Sequence, residues 1–413
     1  MRKGNSEIDI CMIVSNTVTP DPRVRKEAAS LADSDYKVKI IGLRLNKDDK
    51  PKERFSPGYE VERANVSFLT QKVRRKIDQF MTGDSALKKK LGFPLKVLLK
   101  AYQMVWLSMK TFGTKATVYH AHDLDTLPIA FIASFIHRSK LVYDSHELYT
   151  EQKQGTSAVI KRCLQIVEGM LIKRADRVIT VNGSIAEELQ KRYNVALPLS
   201  LKNYVSQNMT PVKTITRGTI REVSVLYHGG FMPDRGLEEM IQSVEYWPDD
   251  CKLFIRGFGS IENELRQLVA DLKLTEKITF LEPVTMEQLT EGAAFADIGI
   301  IPYKPTCLNN YYSLPNKLSE YIMAGLAVCA SDLPEIRKLN DQVHFGELFD
   351  PEDPKSIAEA IRKMVSEREY LLQYRENAWE WARMEGNWEE ESKKLLFLYA
   401  NLLGENHEKH LDC

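Results

Sequence analysis

Short apolar runs alternate with amphipathic helical segments along the whole chain. The runs Ile8–Val14 and Lys37–Leu43, with the helical segment Asp21–Ala32 between them, are the first example. A repeated order of strand, helix and strand is typical of a parallel sheet covered by helices on both faces. A polar stretch over residues 201–222 interrupts this pattern, which starts again at Val223. The sequence therefore predicts two doubly wound α/β domains with a ligand site in the cleft that faces their strand C-termini.

The charge of the chain is balanced as a whole but uneven along its length. Its 413 residues include 57 basic and 57 acidic side chains, and 43% of the residues are hydrophobic. Residues 1–200 carry a net charge of +12, and the remainder carries −12. This composition disfavours a disordered chain and a protein that coats a polyanion. The sequence shows no stacking platform or basic recognition motif, so we expect no nucleic-acid partner.

The cysteines and the N-terminal residues indicate the compartment. The six cysteines are scattered, with no CxxC pair and no metal-ligand spacing, which suits a reducing compartment and predicts no structural metal site. The first residues lack the apolar segment of a signal peptide. The longest apolar run, Leu127–Ile136, has about half of the ~20 residues needed to span a bilayer. We expect a cytoplasmic protein, peripheral on the inner face of the cell membrane if it meets a membrane at all.

The segment Asn309–Glu335 is the most informative part of the sequence. Pro315 indicates a helix start and Gly325 a helix end, which places Lys317 and Glu320 on one face of the first turns. A lysine in a first turn opposes the helix dipole, and lysine before glutamate is the less favourable order for a helical pair. Both features are explained if a dianion lies at this N-terminus, held by Lys317 and free backbone N–H groups. A solvated Lys–Glu pair is the alternative, and these two residues alone do not decide between them.

Glycine-rich segments follow two of the strands predicted in the second half. Tyr227–Gly236 contains Gly229 and Gly230, which allow a tight turn and a close approach to a ligand. It also contains Arg235, whose guanidinium suits forked contact with phosphate. The segment Arg256–Gly259 resembles half of a dinucleotide fingerprint, but the third glycine is missing, so a tight turn is the better interpretation.

Histidines and acids stand at the ends of two predicted strands in the first half. His120 and His122 lie on one side of a strand, and Asp123, which follows, is suited to orient an imidazole ring. A hydrogen-bonded structural role is the alternative for these histidines. His146 and Glu147 end the next strand and are expected to face the same cleft.

Taken together and in this order, these segments resemble those of the retaining glycosyltransferases of family 4. The resemblance extends over nearly the whole chain. It rests on DPRVRKE from Asp21, HAHD from His120, VYDSHE from Val142, RVITVN from Arg177, GGFMPDRG from Gly229, RGFG from Arg256, PNKLSEYIMAGLAV from Pro315 and the helical segment from Trp388. Each motif alone is weak, but seven in the family's order are specific.

The resemblance implies an α/β fold of the GT-B type, in which two doubly wound Rossmann-like domains face a central cleft. We predict a basic, acceptor-side domain over residues 1–205 and a nucleotide-sugar-binding domain over residues 206–375. Residues 376–413 are expected to form C-terminal helices that pack back on the first domain.

The resemblance also implies a reaction and a set of site residues. The expected reaction transfers a hexosyl or N-acetylhexosaminyl group, with retention, from a nucleotide diphosphate sugar to a glycan or lipid-linked acceptor in cell-surface synthesis. Uridine is the family's commonest base. The nucleotide sugar is a co-substrate. No cofactor or metal is expected. Arg235 and Lys317 match the cations that bind the diphosphate, Glu320 matches the carboxylate that holds the ribose, and His122 matches the histidine that contacts the donor. The further donor-binding candidates are Gly229, Gly230, Gly257, Asn310 and Asn316, and the acceptor-side candidates are Asp21, Arg23, Asp123, His146 and Glu147.

Two positions depart from the family's pattern. Tyr312 stands where the family often has a second acid, and Gly230 stands where an arginine is frequent. We consider Asn310 as a replacement source of hydrogen bonds to the sugar. These departures keep two alternatives open, a catalytically silent GT-B subunit that binds a partner and a nucleotide-sugar epimerase of GT-B fold.

Two further patterns carry competing interpretations. The triplet Asp123-Leu-Asp125 has the DxD form that holds a metal in other sugar transferases, but it arises easily by chance. Residues 72–100 carry nine cations and two acids, interleaved with apolar residues. A solvated basic helix face is the ordinary interpretation, whereas the functional one is a cationic amphipathic patch that lies on anionic lipid.

Overall fold

The computed structural model describes two separate parallel sheets. Structure is described for residues 8–56, 58–66, 76, 86–152, 157–207 and 222–404, and residues 86–94 are described by their backbone alone. Within these residues, no helix is long and apolar enough to cross a membrane.

The first sheet has eight strands among the described residues, in the order β3-β4-β2-β1-β5-β6-β7-β8. All neighbours pair in parallel except β3, which is antiparallel to β4. The strands are β1 (Ile8–Ile13), β2 (Val38–Arg44), β3 (Lys52–Phe55), β4 (Tyr59–Asn65), β5 (Ala116–His122), β6 (Lys140–Ser145), β7 (Arg177–Thr180) and β8 (Leu199–Ser200).

Helices cover this sheet on both faces. They are α1 (Pro22–Asp33), α2 (Ala86–Phe112), α3 (Leu127–His137), α4 (Ala158–Ile172) and α5 (Gly183–Tyr193), with a short 3₁₀ turn at Tyr149–Glu151. Helix α1 packs in one apolar cluster, whereas α2 to α5 share a second one on the other face, around Leu107, Ala130 and Leu189. The strand interiors are β-branched and apolar, as expected for a sheet buried on both sides.

The second sheet has six strands in the described residues, all parallel, in the order β11-β10-β9-β12-β13-β14. The strands are β9 (Val223–Phe231), β10 (Cys251–Gly259), β11 (Ile278–Leu281), β12 (Ile298–Ile301), β13 (Ala327–Ser331) and β14 (Gly346–Phe349). The helices are α6 (Leu237–Ser243), α7 (Glu262–Asp271), α8 (Leu289–Ala293), α9 (Leu308–Tyr311), α10 (Asn316–Met323), α11 (Pro334–Val343), α12 (Pro354–Ser366) and α13 (Arg368–Met384), with 3₁₀ turns at Val244–Tyr246 and Met286–Gln288.

The last helix, α14 (Trp388–Leu403), returns to the first sheet. Its buried residues Leu395 and Tyr399 belong to the same apolar cluster as α1. The indole N–H of Trp388 donates to Ser30 Oγ at 2.9 Å. The predicted crossing of a C-terminal helix to the first domain is confirmed, as is the α/β fold with two Rossmann-like sheets. The domain limits at residues 205 and 375 stay predictions.

The glycine-rich segments differ from their predicted form. The sequence suggested tight turns directly after short strands, but β9 and β10 continue through them, and Gly229 pairs with Gly257 within the sheet. Both glycines have positive φ values, 143° and 154°. A Cβ on Gly257 would lie 1.9 Å from Gly229 O, so the two strands approach each other here because residue 257 has no side chain.

The packing of α14 predicts a stability difference between two substitutions. Leu395→Ala should lower the free energy of unfolding by about 2–5 kcal/mol, because it opens a cavity under the first sheet. Lys393→Ala, on the exposed side of the same helix, should change it by about 0.5 kcal/mol or less. Chemical denaturation measures both values. Equal losses would show that the crossing helix is not part of the core.

Candidate active site

Helix α10 places a buried lysine at its N-terminus. Lys317 is 6% exposed, and its Nζ lies over the rings of Tyr227 and Tyr303, at 4.0 and 4.8 Å from their centroids. Within the described part of the chain, this Nζ has no hydrogen-bond partner. Burial and the nearby charge of Arg235 lower the pKa of Lys317 to about 7. A buried ammonium with unused N–H groups is costly unless an anion supplies the missing acceptors.

Arg235 reaches the same place from the loop that follows β9. Its guanidinium carbon lies 4.3 Å from the ring centroid of Tyr303, the ring that Lys317 also contacts. The two cations predicted to bind a diphosphate are therefore brought to one aromatic ring. Pro315 supplies no side-chain cap, so the first backbone N–H groups of α10 lack a capping side chain beside them.

A glycine makes room for the lysine. A Cβ on Gly229 would lie 2.8 Å from Lys317 Nζ and 3.4 Å from Tyr227 Oη. At Gly230, by contrast, the nearest atom to an added Cβ is a side-chain carbon of Met232 at 3.6 Å. The volume that a side chain at position 229 would need is thus filled by Lys317. At Gly230, where the family frequently has an arginine, a larger side chain would meet no close contact at its Cβ.

Glu320 lies one turn beyond Lys317 and pairs with a histidine from β9. Its Oε2 is 2.7 Å from Nε2 of His228, which is buried, while the Glu320 side chain keeps 18% exposure. The backbone N–H of His228 donates to Tyr321 Oη at 2.8 Å. Glu320 thus has a buried histidine as its close partner and keeps partial exposure.

The first sheet contributes a pair of histidines. His122 Nδ1 lies 3.0 Å from His146 Nε2. His146 stands between two carboxylates, with Nε2 3.3 Å from Asp144 Oδ2 and Nδ1 3.7 Å from Asp123 Oδ2. Burial opposes a charge on His146, but Asp123 and Asp144 outweigh it and raise the pKa of His146 to about 10. Burial lowers the pKa of His122.

This arrangement favours one tautomer of neutral His122. His122 Nδ1 also lies 3.5 Å from Asp144 Oδ2. When the cationic His146 donates to His122 Nδ1, the neutral His122 carries its proton on Nε2. That Nε2 is buried and has no hydrogen-bond partner among the described residues. His122 is therefore set up as a donor of one hydrogen bond from Nε2.

Arg23 anchors these groups from α1. It donates from Nε and Nη2 to both oxygens of Asp144, at 3.0 and 2.9 Å, and its Nε also lies 3.0 Å from Glu27 Oε1. By distance, Glu27, His120, His122 and Asp144 offer a set of metal ligands. The guanidinium already bonds both oxygens of Asp144, whereas Glu27 lies beside it in an ion pair without a hydrogen bond among the described residues. Burial and Asp144 raise the pKa of Glu27. This donor set fits a hydrogen-bonded ion-pair network better than a metal ion.

The two carboxylates of the triplet Asp123-Leu-Asp125 also accept hydrogen bonds from other groups of the protein. Asp123 accepts the backbone N–H of His146 at 3.1 Å, so the ring that Asp123 orients is His146 rather than His122. Asp125 accepts from Lys100 Nζ at 2.8 Å.

The remaining predicted residues line an interdomain cavity of about 480 Å³. Its walls include Asp21, Arg23, His146, Glu147, Arg235, Asn310 and Asn316. Asp21 caps α1 through Val24 N, and Glu147 accepts from Asn309 Nδ2 at 3.2 Å. Asn310 donates to Thr306 Oγ1, and Asn316 accepts from Asn203. The cavity thus joins donor-side and acceptor-side candidates from the two sheets.

Tyr312, which replaces the family's second acid, has a packing role. Its ring packs against the core of the first sheet, and its carbonyl accepts from Asn182 Nδ2 at 2.8 Å. The neighbouring Asn309 Oδ1 accepts the backbone N–H of Leu148 at 2.8 Å. The segment around α9 therefore ties the two sheets together.

Sequence reasoning missed several residues of the site. Asp144 was visible only as part of the VYDSHE motif, and Glu27 only as part of DPRVRKE. His228 and Tyr303 gave no signal of their own, because their roles depend on contacts with α10 and Arg235 that the sequence does not show.

Comparisons with known proteins identify the family of both halves of the chain. A model described as Glycosyltransferase Family 4 matches residues 24–198, and one described as Glycosyl transferases group 1 matches residues 222–367. The O-antigen chain mannosyltransferase RfbU of Salmonella typhimurium is 24% identical over 298 residues, which is 70% of this chain and 78% of that protein.

Two solved structures show the same fold. Sucrose-phosphate synthase from Thermosynechococcus elongatus has a TM-score of 0.72 at 18% identity and covers 96% of this chain and 99% of its own. HepE from Anabaena, in complex with UDP-glucose, has a TM-score of 0.67 at 14% identity and covers 95% of this chain and 100% of its own. The fold and the site define a glycosyltransferase of the GT-B type. More specifically, the chain belongs to the family 4 glycosyltransferases, with a group 1 glycosyl transferase domain as its second half.

The low pKa of Lys317 predicts that binding of a nucleotide sugar takes up a proton. The free lysine loses its charge above about pH 7, and a bound diphosphate restores it. Affinity should therefore rise about tenfold for each unit that the pH falls from 9 towards 7. Calorimetry in two buffers of different ionisation enthalpy measures the uptake, with Lys317→Met as the control that abolishes it. Binding by the native protein without proton uptake at pH 8 would contradict the assignment.

The histidine pair predicts a tautomer and a pH dependence. Nitrogen-15 NMR of labelled histidines should show neutral His122 protonated on Nε2 and His146 doubly protonated at pH 7. The stability that charged His146 contributes is fully present below its ordinary pKa of 6.5 and is lost as the pH rises through about 10. A His146 that loses its proton near pH 6.5 would refute this.

Proposed function

We propose that this glycosyltransferase moves a hexosyl or N-acetylhexosaminyl group from a UDP-sugar to a glycan or lipid-linked acceptor, with retention of anomeric configuration. The observation that carries the proposal is the buried Lys317 ammonium, which has no hydrogen-bond partner among the described residues and shares a ring with Arg235. A diphosphate supplies the acceptors and negative charge that this site lacks. The HepE neighbour binds UDP-glucose, which supports uridine as the first base to test.

The cations account for the chemical step. Departure of a nucleoside diphosphate builds negative charge on its oxygens, and fixed cations aimed at those oxygens lower the barrier. Lys317, in the first turn of α10, and Arg235 both contact Tyr303, so one diphosphate can meet both cations and the uncapped helix N-terminus. Glu320, held by His228, is positioned for the ribose hydroxyls, and His122 donates from Nε2 to the donor sugar or its phosphate.

The same geometry supports metal independence. Two protein cations stand where a metal ion would otherwise stabilise the leaving group. The carboxylates of Asp123 and Asp125 are occupied by His146 and Lys100. Activity should therefore survive EDTA, and a complete loss that Mn²⁺ or Mg²⁺ restores would refute this part of the proposal.

The residues that we propose for binding the acceptor come from the domain of the first sheet. Asp21, Arg23, His146 and Glu147 line the cavity that the donor-side candidates Arg235, Asn310 and Asn316 also line. The relative RfbU is an O-antigen chain mannosyltransferase, which supports an acceptor in cell-surface polysaccharide or glycolipid synthesis. We place the enzyme in the cytoplasm at the inner face of the cell membrane, with residues 72–100 as part of its membrane contact. Of these residues, 72–75 and 77–85 lie outside the described part of the chain.

A panel of UDP-, GDP- and ADP-sugars tests the proposal. One of them should stabilise the protein, by about 2.7 kcal/mol at 100 times its dissociation constant, and should be hydrolysed or transferred. Lys317→Met should lower kcat/KM by about 100-fold or more, since removing one donor to a developing oxyanion costs that much. Lys363→Met, an exposed lysine of the same domain, is the matched control and should leave kcat/KM unchanged.

Two outcomes would favour the alternatives. Donor binding without turnover would indicate the silent subunit that Tyr312 and Gly230 leave open. Conversion of the sugar without release of nucleoside diphosphate would indicate an epimerase.

A further inference from the structure

An unusual apolar surface covers one side of the first domain. Helices α2, α3 and α4 pack side by side against the same face of the first sheet. Their outer sides carry fourteen of the twenty-four large hydrophobic residues that are exposed in the described chain. We call this surface the three-helix face. Its members are Leu95, Val97, Leu98, Tyr102, Val105, Trp106 and Met109 on α2, Ile132, Phe135 and Ile136 on α3, and Val159, Ile160, Ile166 and Met170 on α4.

Helix α2 has two apolar sides. Its inner side packs Met104, Leu107 and Phe112 against the sheet. Leu98, Tyr102, Val105 and Met109 follow one another at spacings of three or four residues, which places them in one stripe on the outer side. Leu98 is 66% exposed and Met109 60%. A helix that only covers a sheet needs one apolar side, so the outer stripe requires a second explanation.

Helices α3 and α4 extend the stripe. Phe135 on α3 is 79% exposed. On α4, Val159, Ile166 and Met170 follow at spacings of seven and four residues, which also places them on one side of the helix, and Val159 is 71% exposed. The exposed apolar residues are therefore grouped on three neighbouring helices and are not scattered singly, as is normal on any protein.

The charge of these helices identifies the occupant. By sequence they contain eight lysines and arginines and one acidic residue, Glu168, which is fully buried. Three of these cations, Lys100, Lys110 and Lys161, pair with acids of neighbouring elements, and the side chains of residues 88–90 lie outside the described part of the chain. Apolar and aromatic side chains among cations, without exposed acids, match the boundary between acyl chains and anionic headgroups. Two copies of this face would bring like charges together, which disfavours a dimer of this chain as the occupant.

The position of the face suits delivery of an acceptor. Lys100 on α2 bonds Asp125 Oδ2 at 2.8 Å, and Asp125 lies two residues after Asp123 at the cleft end of β5. The N-terminal end of the face therefore adjoins the cleft that contains His122 and His146.

We infer that the three-helix face is the membrane-contact surface of this enzyme and binds a bilayer of anionic phospholipid. The inference rests on the proposed function, because it brings the cleft to a lipid-linked acceptor. It moves the contact beyond the predicted patch at residues 72–100 to include α3, α4 and the second half of α2.

Pelleting with large vesicles tests the inference. The native protein should pellet with vesicles of phosphatidylcholine containing a quarter phosphatidylglycerol at low salt, and less with phosphatidylcholine alone. The triple variant Leu98→Gln, Val105→Gln, Met109→Gln should lower the partition coefficient at least tenfold. The matched triple variant Tyr246→Gln, Tyr370→Gln, Met384→Gln removes exposed apolar residues from the other domain and should stay within twofold of the native protein.

The vesicle assay and the nucleotide-sugar assay distinguish failure of the membrane contact from failure of the proposed function. Thermal stabilisation by a nucleotide sugar, measured without vesicles, reports the donor site and should be unchanged in both triple variants. Absence of vesicle binding at low salt, or equal loss in the two variants, would overturn the membrane contact while leaving the donor site untouched. A native dimer in light scattering that the first triple variant dissociates would also overturn it, in favour of a second copy. Vesicle binding without any nucleotide-sugar response would instead contradict the proposed function alone.

Discussion

The site is organised around one buried lysine that has no hydrogen-bond partner in the described chain. Lys317 places an ammonium in a buried pocket between Tyr227 and Tyr303, where nothing in the described chain accepts its hydrogen bonds. Such a group is unfavourable in isolation and lowers the stability of the empty protein. The surrounding structure accommodates it, because Gly229 leaves room for the side chain and the Gly229–Gly257 pairing keeps two strands close. The cost of burying this lysine is understandable if the pocket binds an anion.

The other half of the site is a network of ion pairs and hydrogen bonds that orients His122. Arg23 holds Asp144, Asp144 and Asp123 hold His146, and His146 hydrogen-bonds His122. These residues come from α1, β5, β6 and the loops that follow the strands, so they meet only when the first sheet is assembled. The cleft thus combines a cationic wall from the second sheet with an oriented hydrogen-bond donor from the first.

Much of this architecture is present in the sequence. The alternation of apolar runs and amphipathic segments predicts both sheets, and the unfavourable place of Lys317 in a first helical turn indicates the candidate anion site. Strand β3 could not be predicted, because KERF has no apolar run and pairs only at the sheet edge. The contacts of His228 and Tyr303 depend on residues about seventy to ninety positions away along the chain, which no local pattern encodes. The glycine segments were predicted as turns, since the sequence does not show that glycines of two strands face each other.

The most direct measurement is a crystal structure of the enzyme with a bound nucleoside diphosphate. The account predicts that the diphosphate lies at the N-terminus of α10, with its oxygens within hydrogen-bond distance of Lys317 Nζ and the Arg235 guanidinium. A nucleotide bound elsewhere, or a Lys317 side chain that still contacts only the two tyrosine rings, would contradict it.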